Sequence, residues 1–154
     1  MQLLGCNRWL LAIALLLGLE RPGRAEEIRV TVVAILASTD PAAKVDPKVK
    51  HVAEEVQKRE PTLKGFRLAQ TTSKPLKPGQ KENFPLVENQ VAVVELQSGM
   101  DPERRVSLTV TPPRLGPITY RTCCSKFFPI VTGYKTQKDE RLIVAIMVRP
   151  CGEK

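Results

Sequence analysis

Cysteine is the residue type in this chain with the widest chemistry, because a thiol can form disulfides, carry redox reactions or bind metals. The 154 residues include four cysteines: Cys6 near the amino terminus, and Cys123, Cys124 and Cys151 near the carboxyl terminus. Adjacent cysteines lack the two-residue spacer of thioredoxin-like pairs, and a metal site would need ligands from distant segments. A structural disulfide is therefore favoured over a redox or metal role, with free thiols and a strained Cys123–Cys124 bond as alternatives.

Strand pairing near the end of the chain predicts which cysteines meet. Two apolar segments joined by a short polar turn are typical of a hairpin, and we expect Thr136 to pair with Arg141. Cys151 then lies opposite Lys126, whose side chain shares one face of the strand with Cys124. We therefore predict a Cys124–Cys151 disulfide, which would contribute roughly 3.5 kcal/mol in the chain-entropy model. The remaining cysteine is either buried or available for an intermolecular bond.

His51 is the only histidine, so a Ser–His–Asp or Cys–His arrangement would have to use it. It lies off the apolar stripe of a predicted helix, and we expect it to be exposed to solvent. The acidic pairs Asp101/Glu103 and Asp139/Glu140 lie at predicted turns, and no glycine-rich phosphate loop or histidine cluster is present. The sequence therefore predicts no catalytic residue, no metal site and no cofactor.

Positive charge is concentrated between Lys44 and Lys81, where ten basic residues accompany four acidic ones. Such a surface attracts anionic surfaces or polymers, although lysines also solvate helix faces and protect strand edges. Nucleic acid is not an expected partner, because Phe66 is the one aromatic residue in this stretch and forms no stacking platform. The candidate anion-binding residues are Lys48, Lys50, Lys58, Arg59, Lys74, Lys77 and Lys81.

One helix and a series of short strands would position these residues. Asp46-Pro47 is a helix-start signal, because Asp caps free N–H groups and proline fits the first position. Pro61 ends the helix. The apolar residues that follow the start at helical spacing are Val49, Val52, Ala53 and Val56. Strands are predicted over residues 27–37, 65–72, 82–87, 90–97, 105–111, 118–123, 127–136 and 141–148.

These elements predict a β-rich α+β fold. We expect an antiparallel sheet or small sandwich of about seven or eight strands with one packed amphipathic helix. Residues 105–111 alternate between apolar and polar, which predicts one dry face and one wet face. The last two strands are apolar on both faces, which predicts a central position for each.

The first 25 residues predict export. Arg8 precedes the uncharged apolar run Trp9–Leu19, which suits a signal peptide and is shorter than the roughly 20 residues of a membrane-spanning helix. Small residues at Gly23 and Ala25 indicate cleavage before Glu26, with an uncleaved amino-terminal anchor as the alternative.

The predicted organisation is a signal peptide over residues 1–25 and a single β-rich α+β domain over residues 26–154. No transmembrane span is predicted within residues 26–154, because no apolar stretch there is long enough to cross a membrane as a helix. Cleavage removes three arginines and one glutamate, which lowers the net charge from +8 to +6.

Residues 52–97 join the predicted helix to KGFRLAQTTSKPLKPGQKENFPL and VAVVEL, and the chain carries C-C near its end and a final P-C. In these features it resembles small exported bacterial proteins of unknown function, in which one helix is followed by a β-rich body. The resemblance covers nearly all of the chain after residue 25. It implies the architecture and the compartment, and it carries no activity, cofactor or catalytic residue.

Together these features predict an exported, non-catalytic binding or structural module of the cell envelope or periplasm. Periplasmic, envelope-associated and secreted locations all fit, and the expected partner is an envelope protein or an anionic polymer. The alternatives are a polyanion-binding protein that uses the Lys44–Lys81 face, and a small hydrolase or redox enzyme. Nothing in the sequence indicates an oligomeric state.

Export and the disulfide together predict the mass of the natural protein. Protein purified from its native exported fraction should begin at Glu26 and lack two hydrogens, with one thiol open to alkylation before reduction. Intact mass with and without reductant measures both properties, and peptide mapping then tests the Cys124–Cys151 pairing. An unprocessed chain with three free thiols after residue 25 would contradict export and the bond together.

Overall fold

A computed structural model of the chain describes residues 26–151, and the predicted signal peptide at residues 1–25 lies outside this part. The described residues form eight strands in two antiparallel sheets and one α-helix, which confirms the β-rich class. The strands are β1 (Ile28–Ser38), β2 (Gly65–Leu76), β3 (Lys81–Pro85), β4 (Val91–Leu96), β5 (Arg105–Thr111), β6 (Ile118–Cys123), β7 (Phe128–Lys135) and β8 (Arg141–Pro150). The helix is α1 (Lys50–Gln57), and 3-10 turns cover Pro47–Val49 and Val87–Asn89.

Each sheet has four strands, and consecutive strands are neighbours within it. Sheet A has the order β2-β1-β8-β7, and sheet B has the order β3-β4-β5-β6. The first and last strands also pair with each other, from Ile28 opposite Pro150 to Ala37 opposite Arg141. The Cys151 N–H continues this ladder by donating to the Glu27 carbonyl at 3.0 Å. The two ends of the described chain therefore meet.

Strand β1 separates two clusters of buried side chains. The larger cluster combines residues of both sheets, such as Val32 of β1 and Phe84 of β3. The smaller cluster lies on the other face of β1, where Ile35 packs with Val52 of the helix and with Phe66. Because successive side chains of a strand point to opposite faces, β1 is apolar without interruption from Val32 to Ala37, where both clusters contact it.

The helical segment begins at Asp46, as the sequence predicts. Its carboxylate oxygen Oδ1 accepts a hydrogen bond from the Lys48 N–H at 2.9 Å, and Pro47 occupies the first turn. The α-helix ends at Gln57, before the predicted stop at Pro61. No helix within the described residues is long and apolar enough to cross a membrane. The predicted apolar stripe is buried at all of its positions: Val49, Val52, Ala53 and Val56.

A loop covers the outer edge of β2 where that strand begins. The Phe66 N–H donates to the Lys44 carbonyl at 3.1 Å, and the Asp46 N–H donates to the Phe66 carbonyl at 2.8 Å. The loop approaches so closely that a Cβ at Gly65 would lie 2.3 Å from the Cβ of Ala43. Glycine is required at this position, because any side chain would collide with the loop.

The predicted register of the β7–β8 hairpin is wrong. Arg141 pairs with Lys135 rather than with Thr136. Thr136 instead closes the turn: its N–H donates to the Glu140 carbonyl at 2.8 Å, and its hydroxyl oxygen accepts from two N–H groups of the turn. The ladder is irregular beyond this point, where the Thr132 hydroxyl donates to a carbonyl of β8 at 2.8 Å. These side-chain bonds to the backbone shift the pairing.

The predicted central position of β7 is also wrong, whereas that of β8 is confirmed. β7 lies at the edge of sheet A. The face of β7 that points away from sheet B is apolar for a different reason: Val131, together with Phe127 just before the strand, packs against the smaller cluster beneath the helix. An apolar pattern on both faces of a strand therefore indicates that other elements pack against both faces of the sheet at that point. It does not indicate that the strand has a neighbouring strand along each edge.

Removal of the helix cap should lower the stability of the domain. Asp46→Ala takes away the acceptor of the Lys48 N–H, and we expect the free energy of unfolding to fall by about 1 kcal/mol. Chemical denaturation measures the change. Asp46→Asn is the matched control, because its amide oxygen can still accept the bond. Equal losses in both variants would show that charge, and not capping, is responsible.

Candidate functional site

A cleft of about 320 Å³ opens where the end of β1, the start of β2, the β3–β4 turn and the tip of the β7–β8 hairpin meet. We call it the hairpin cleft. Its volume lies at the small end of the range for ligand pockets. Its apolar wall consists of Leu36, Leu68, Ala69 and Val87, and its polar rim consists of Arg67, Glu88, Thr136, Gln137, Lys138 and Glu140.

A bidentate ion pair joins two sides of the rim. Arg67 donates from Nε to Glu140 Oε1 at 2.8 Å and from Nη2 to Glu140 Oε2 at 2.6 Å. The Glu140 side chain is only 17% exposed, so the pair is partly shielded from water. The hydrogen bonds from Arg67 hold the pKa of the Glu140 carboxyl below its ordinary value, and the guanidinium pKa of Arg67 is raised in turn. Two parallel N–H···O bonds also set the orientation of both side chains.

A second contact connects the β3–β4 turn to the hairpin. The Glu88 carboxylate accepts a hydrogen bond from the hydroxyl of Tyr134 and another from the Gln137 N–H, the latter at 3.1 Å. The bond to Glu88 raises the pKa of the Tyr134 hydroxyl, which remains protonated at neutral pH. The Arg114 guanidinium lies over the Tyr134 ring, 5.4 Å from its centre. Glu88 thereby links sheet B to the hairpin of sheet A.

The backbone beside this contact is strained. Glu88 and Asn89 are consecutive non-glycine residues in the left-handed region, with φ of 52° and 60°. Asn tolerates this conformation better than most residues, but Glu does not. Conformations of this kind persist where surrounding contacts hold them, and they are concentrated at functional sites. The two bonds to the Glu88 carboxylate supply that restraint.

The wall of the cleft also contains an irregularity in β2. Ala34 pairs with Gln70 and Ile35 pairs with Leu68, so Ala69 has no partner in β1. An extra residue of this type bends its strand and redirects the neighbouring side chains. This bulge lies between Arg67 and the rest of β2, at the point where the cleft opens.

The charges around the cleft balance. Two bases, Arg67 and Lys138, and two acids, Glu88 and Glu140, line it. The positive charge of Lys138 also contributes to the low pKa of Glu140. The cleft therefore presents both signs of charge beside an apolar wall.

The predicted anion-binding face divides into two groups. The helix packs over Ile35 of β1, whereas Pro75 pairs with Arg29 near the other end of that strand. The two groups lie on opposite faces of sheet A, because Lys48 lines a groove with Val52 of the helix, whereas Lys74 approaches Phe84 of sheet B. Lys48, Lys50, Lys58 and Arg59 belong to the helix end, and Lys74, Lys77 and Lys81 belong to the turn end.

All three basic residues of the turn end have acidic partners. Lys77 lies 3.9 Å from Glu27, and Lys81 lies 3.5 Å from Glu95. Lys74 lies 3.4 Å from Glu82, donates to the Asn83 carbonyl at 2.7 Å and approaches the Phe84 ring to 5.4 Å. Lys74 thereby connects β2 to β3, and Lys81 connects β3 to β4. Because each of the three lysines has an acidic partner, their positive charge is partly neutralised.

The helix end carries the less neutralised charge. Lys58 pairs with Glu55 at 2.6 Å, whereas Lys48, Lys50 and Arg59 are exposed and have no ion pair within residues 26–151. Lys48 borders a groove against β1, and Lys50 borders a different groove beside Gln57. These cations do not converge on one point, and anion binding by them stays a prediction.

Cys123 is exposed, and both Cys123 and the half-buried Cys151 carry free thiols in the structure. The hairpin register from which the Cys124–Cys151 bond was predicted is wrong. The backbone nevertheless brings the two segments to the same end of β8, because the Ser125 N–H donates to the Val148 carbonyl at 3.0 Å. The Cys124–Cys151 bond stays a prediction for the mass measurement.

The remaining candidate residues, His51 and Asp101, lie on an exposed helix face and in a hydrogen-bonded turn. His51 lies on the exposed face of α1, as predicted. Asp101 accepts from the N–H groups of Glu103 at 2.9 Å and Arg105 at 2.8 Å, and the Arg105 bond is the main cause of its lowered pKa. Across residues 26–151, no group of three or more His, Cys, Asp or Glu side chains could hold a metal ion.

The sequence pattern did not indicate the hairpin cleft. Arg67 and Glu140 are 73 residues apart, and Glu88 and Tyr134 are 46 apart, so no local spacing connects them. The sequence places Glu140 at a predicted turn and gives no indication that Arg67 and Glu88 lie nearby. The one local signal was the Glu88-Asn89 pair between two strands, since Asn favours the left-handed turn.

No protein-family model matches this chain, and neither a curated protein nor a solved structure matches it significantly. The assignment of function therefore depends on the geometry described above.

Acid should remove the contribution of the Arg67–Glu140 pair to stability. The folded-state pKa of Glu140 is below 4.5, so its stabilising effect is complete above that pH and is lost as the pH falls through the folded-state value. Glu140→Gln should therefore unfold more easily than the wild type at pH 7, by about 1 kcal/mol, with the difference vanishing in acid.

Denaturant titrations at decreasing pH measure this difference. Asp139→Asn is the matched control, because Asp139 lies on the same turn and Asn suits its left-handed φ of 60°. Its ion pair with Lys135 is exposed to solvent and should contribute little to stability. A Glu140→Gln deficit that persists unchanged in strong acid would mean that the ion pair is not its cause.

Proposed function

We propose that the chain is an exported, non-catalytic binding module that takes a small ligand in the hairpin cleft. The observation that supports this proposal is that several contacts which fix side chains and backbone are found together around one cleft. A bidentate ion pair and the Glu88 carboxylate, which is held by two donors, lie on its rim, and Glu88 is also the first of two consecutive left-handed residues. Sites that bind ligands need such preorganisation, because a rigid site loses less entropy on binding.

We also propose that the two sheets form a sandwich with the helix packed on the outside of sheet A. One cluster of buried side chains draws on both sheets, and a second cluster joins sheet A to α1. In this arrangement the hairpin cleft opens at one end of the sandwich. Loops at the ends of a rigid β scaffold are a common location for binding sites.

Export remains part of the proposal. The charged start, apolar run and small residues within the first 25 positions support secretion, and the compartment would be the periplasm, the envelope or the exterior. A soluble ligand or an envelope partner would be accessible to the cleft there.

A small-molecule screen by nuclear magnetic resonance tests the binding proposal. The probes are simple carboxylates, amines, alcohols and zwitterions, and the readout is the amide spectrum of the isotope-labelled domain. We expect some of these probes to shift the amides of Ala69 and Gln137 selectively. Ala69→Leu, which reduces the cleft volume, should abolish the shifts, whereas Ala42→Leu on an exposed loop should preserve them.

Two results would contradict this proposal. Shifts that cluster away from the cleft, or that survive Ala69→Leu in a folded variant, would exclude the cleft as the ligand site. Heparin retention that is lost when Lys48, Lys50 and Arg59 are replaced by glutamine, together with a silent cleft, would favour polyanion binding instead.

A further inference from the structure

Building on the proposed function, we propose that the hairpin cleft binds a free α-amino acid with an apolar side chain. The carboxylate of the ligand would lie beside Arg67 and Lys138, and its ammonium group would lie beside Glu88. Its side chain would cover the aliphatic wall of the cleft.

The balance of charge selects the ligand class. A purely anionic ligand would enter a small cleft that two carboxylates already line, and a purely cationic one would face Arg67 and Lys138. Either ligand would have like charges at short range, which disfavours binding. A zwitterion meets partners of both signs.

The rim of the cleft has unused hydrogen-bond donors for the carboxylate of the ligand and unused acceptors for its ammonium group. Arg67 contacts Glu140 through Nε and Nη2, which leaves the N–H groups of Nη1 available. The Lys138 ammonium has no hydrogen bond within residues 26–151, and it carries three donors. Each Glu88 oxygen accepts one bond from the hairpin, and a carboxylate oxygen can accept a second.

The apolar wall and the volume of the hairpin cleft restrict the chemical class of the ligand further. The cleft volume of about 320 Å³ lies at the small end of the range for ligand pockets, which favours a small ligand. The side chains of Leu36, Leu68, Ala69 and Val87 form no hydrogen bonds, so a sugar hydroxyl group that faced this wall would lose its hydration without replacement. A peptide end carries only one charge at its terminal α-carbon. A free amino acid of the size of leucine satisfies all of these conditions.

Titration with L-leucine and two analogues tests the inference. Leucinamide lacks the carboxylate and 4-methylpentanoate lacks the ammonium group, while both retain the side chain. With the amides of Ala69 and Gln137 as the readout, leucine should bind at least about tenfold more tightly than either analogue. That factor corresponds to one lost hydrogen bond between charged groups.

Two variants assign the charged contacts separately. Lys138→Gln should weaken leucine and 4-methylpentanoate but not leucinamide, whose binding should improve slightly because a like charge is removed. Glu88→Gln should weaken leucine and leucinamide but not 4-methylpentanoate, for the same reason with the signs reversed. Lys135→Gln is the matched control, because Lys135 belongs to the same hairpin but pairs with Asp139 at 2.8 Å. It should leave all three affinities unchanged.

Comparable affinities for leucine and either analogue would overturn the inference, as would an equal effect of Lys138→Gln on all three compounds. If other small molecules shift the cleft amides and leucine does not, the amino-acid inference fails and the proposed function stands. If no probe shifts those amides, both fail.

Discussion

The burial of β1 on both faces is the constraint on which the rest of the fold depends. One face of this strand contributes to the cluster shared by the two sheets, and the other contributes to the cluster beneath the helix. Removing either layer would expose a row of branched apolar side chains to water, which the hydrophobic effect opposes. Sheet B and the helix are therefore both obligatory, and the segments that carry Arg67 and Glu140 are held on either side of the same strand.

Regular alternation and local caps made much of the fold predictable. The strands at 105–111 and 118–123 begin and end where the sequence indicates, because turn residues bound them, and the Asp46 cap lies where its chemistry requires. The hairpin register was not predictable in the same way. Thr136 closes the turn through its own side chain, and an apolar pattern contains no information about such a bond.

The cleft illustrates a more general limit on sequence interpretation. Counting charges identified a basic stretch, but the effect of each lysine depends on a partner that folding supplies. Lys74 appears in the sequence as one more surface cation, yet it connects two strands through Glu82 and Asn83. Conversely, Lys138 had no special position in the sequence, and folding places it on the rim of the cleft. Long-range pairing decides which charges remain available.

The pairing of β1 with β8 has a consequence for how the domain can be made. Residues 27 and 151 share a backbone hydrogen bond, so a short linker could join the ends and new termini could be opened at an exposed turn. The pairing of β1 with β8 also determines the order in which parts of sheet A can form. Any process that delivers the chain from its amino terminus, whether synthesis or translocation, leaves one edge of β1 bare until the final strand arrives. The ladder of β1 is complete only once β8 has been released.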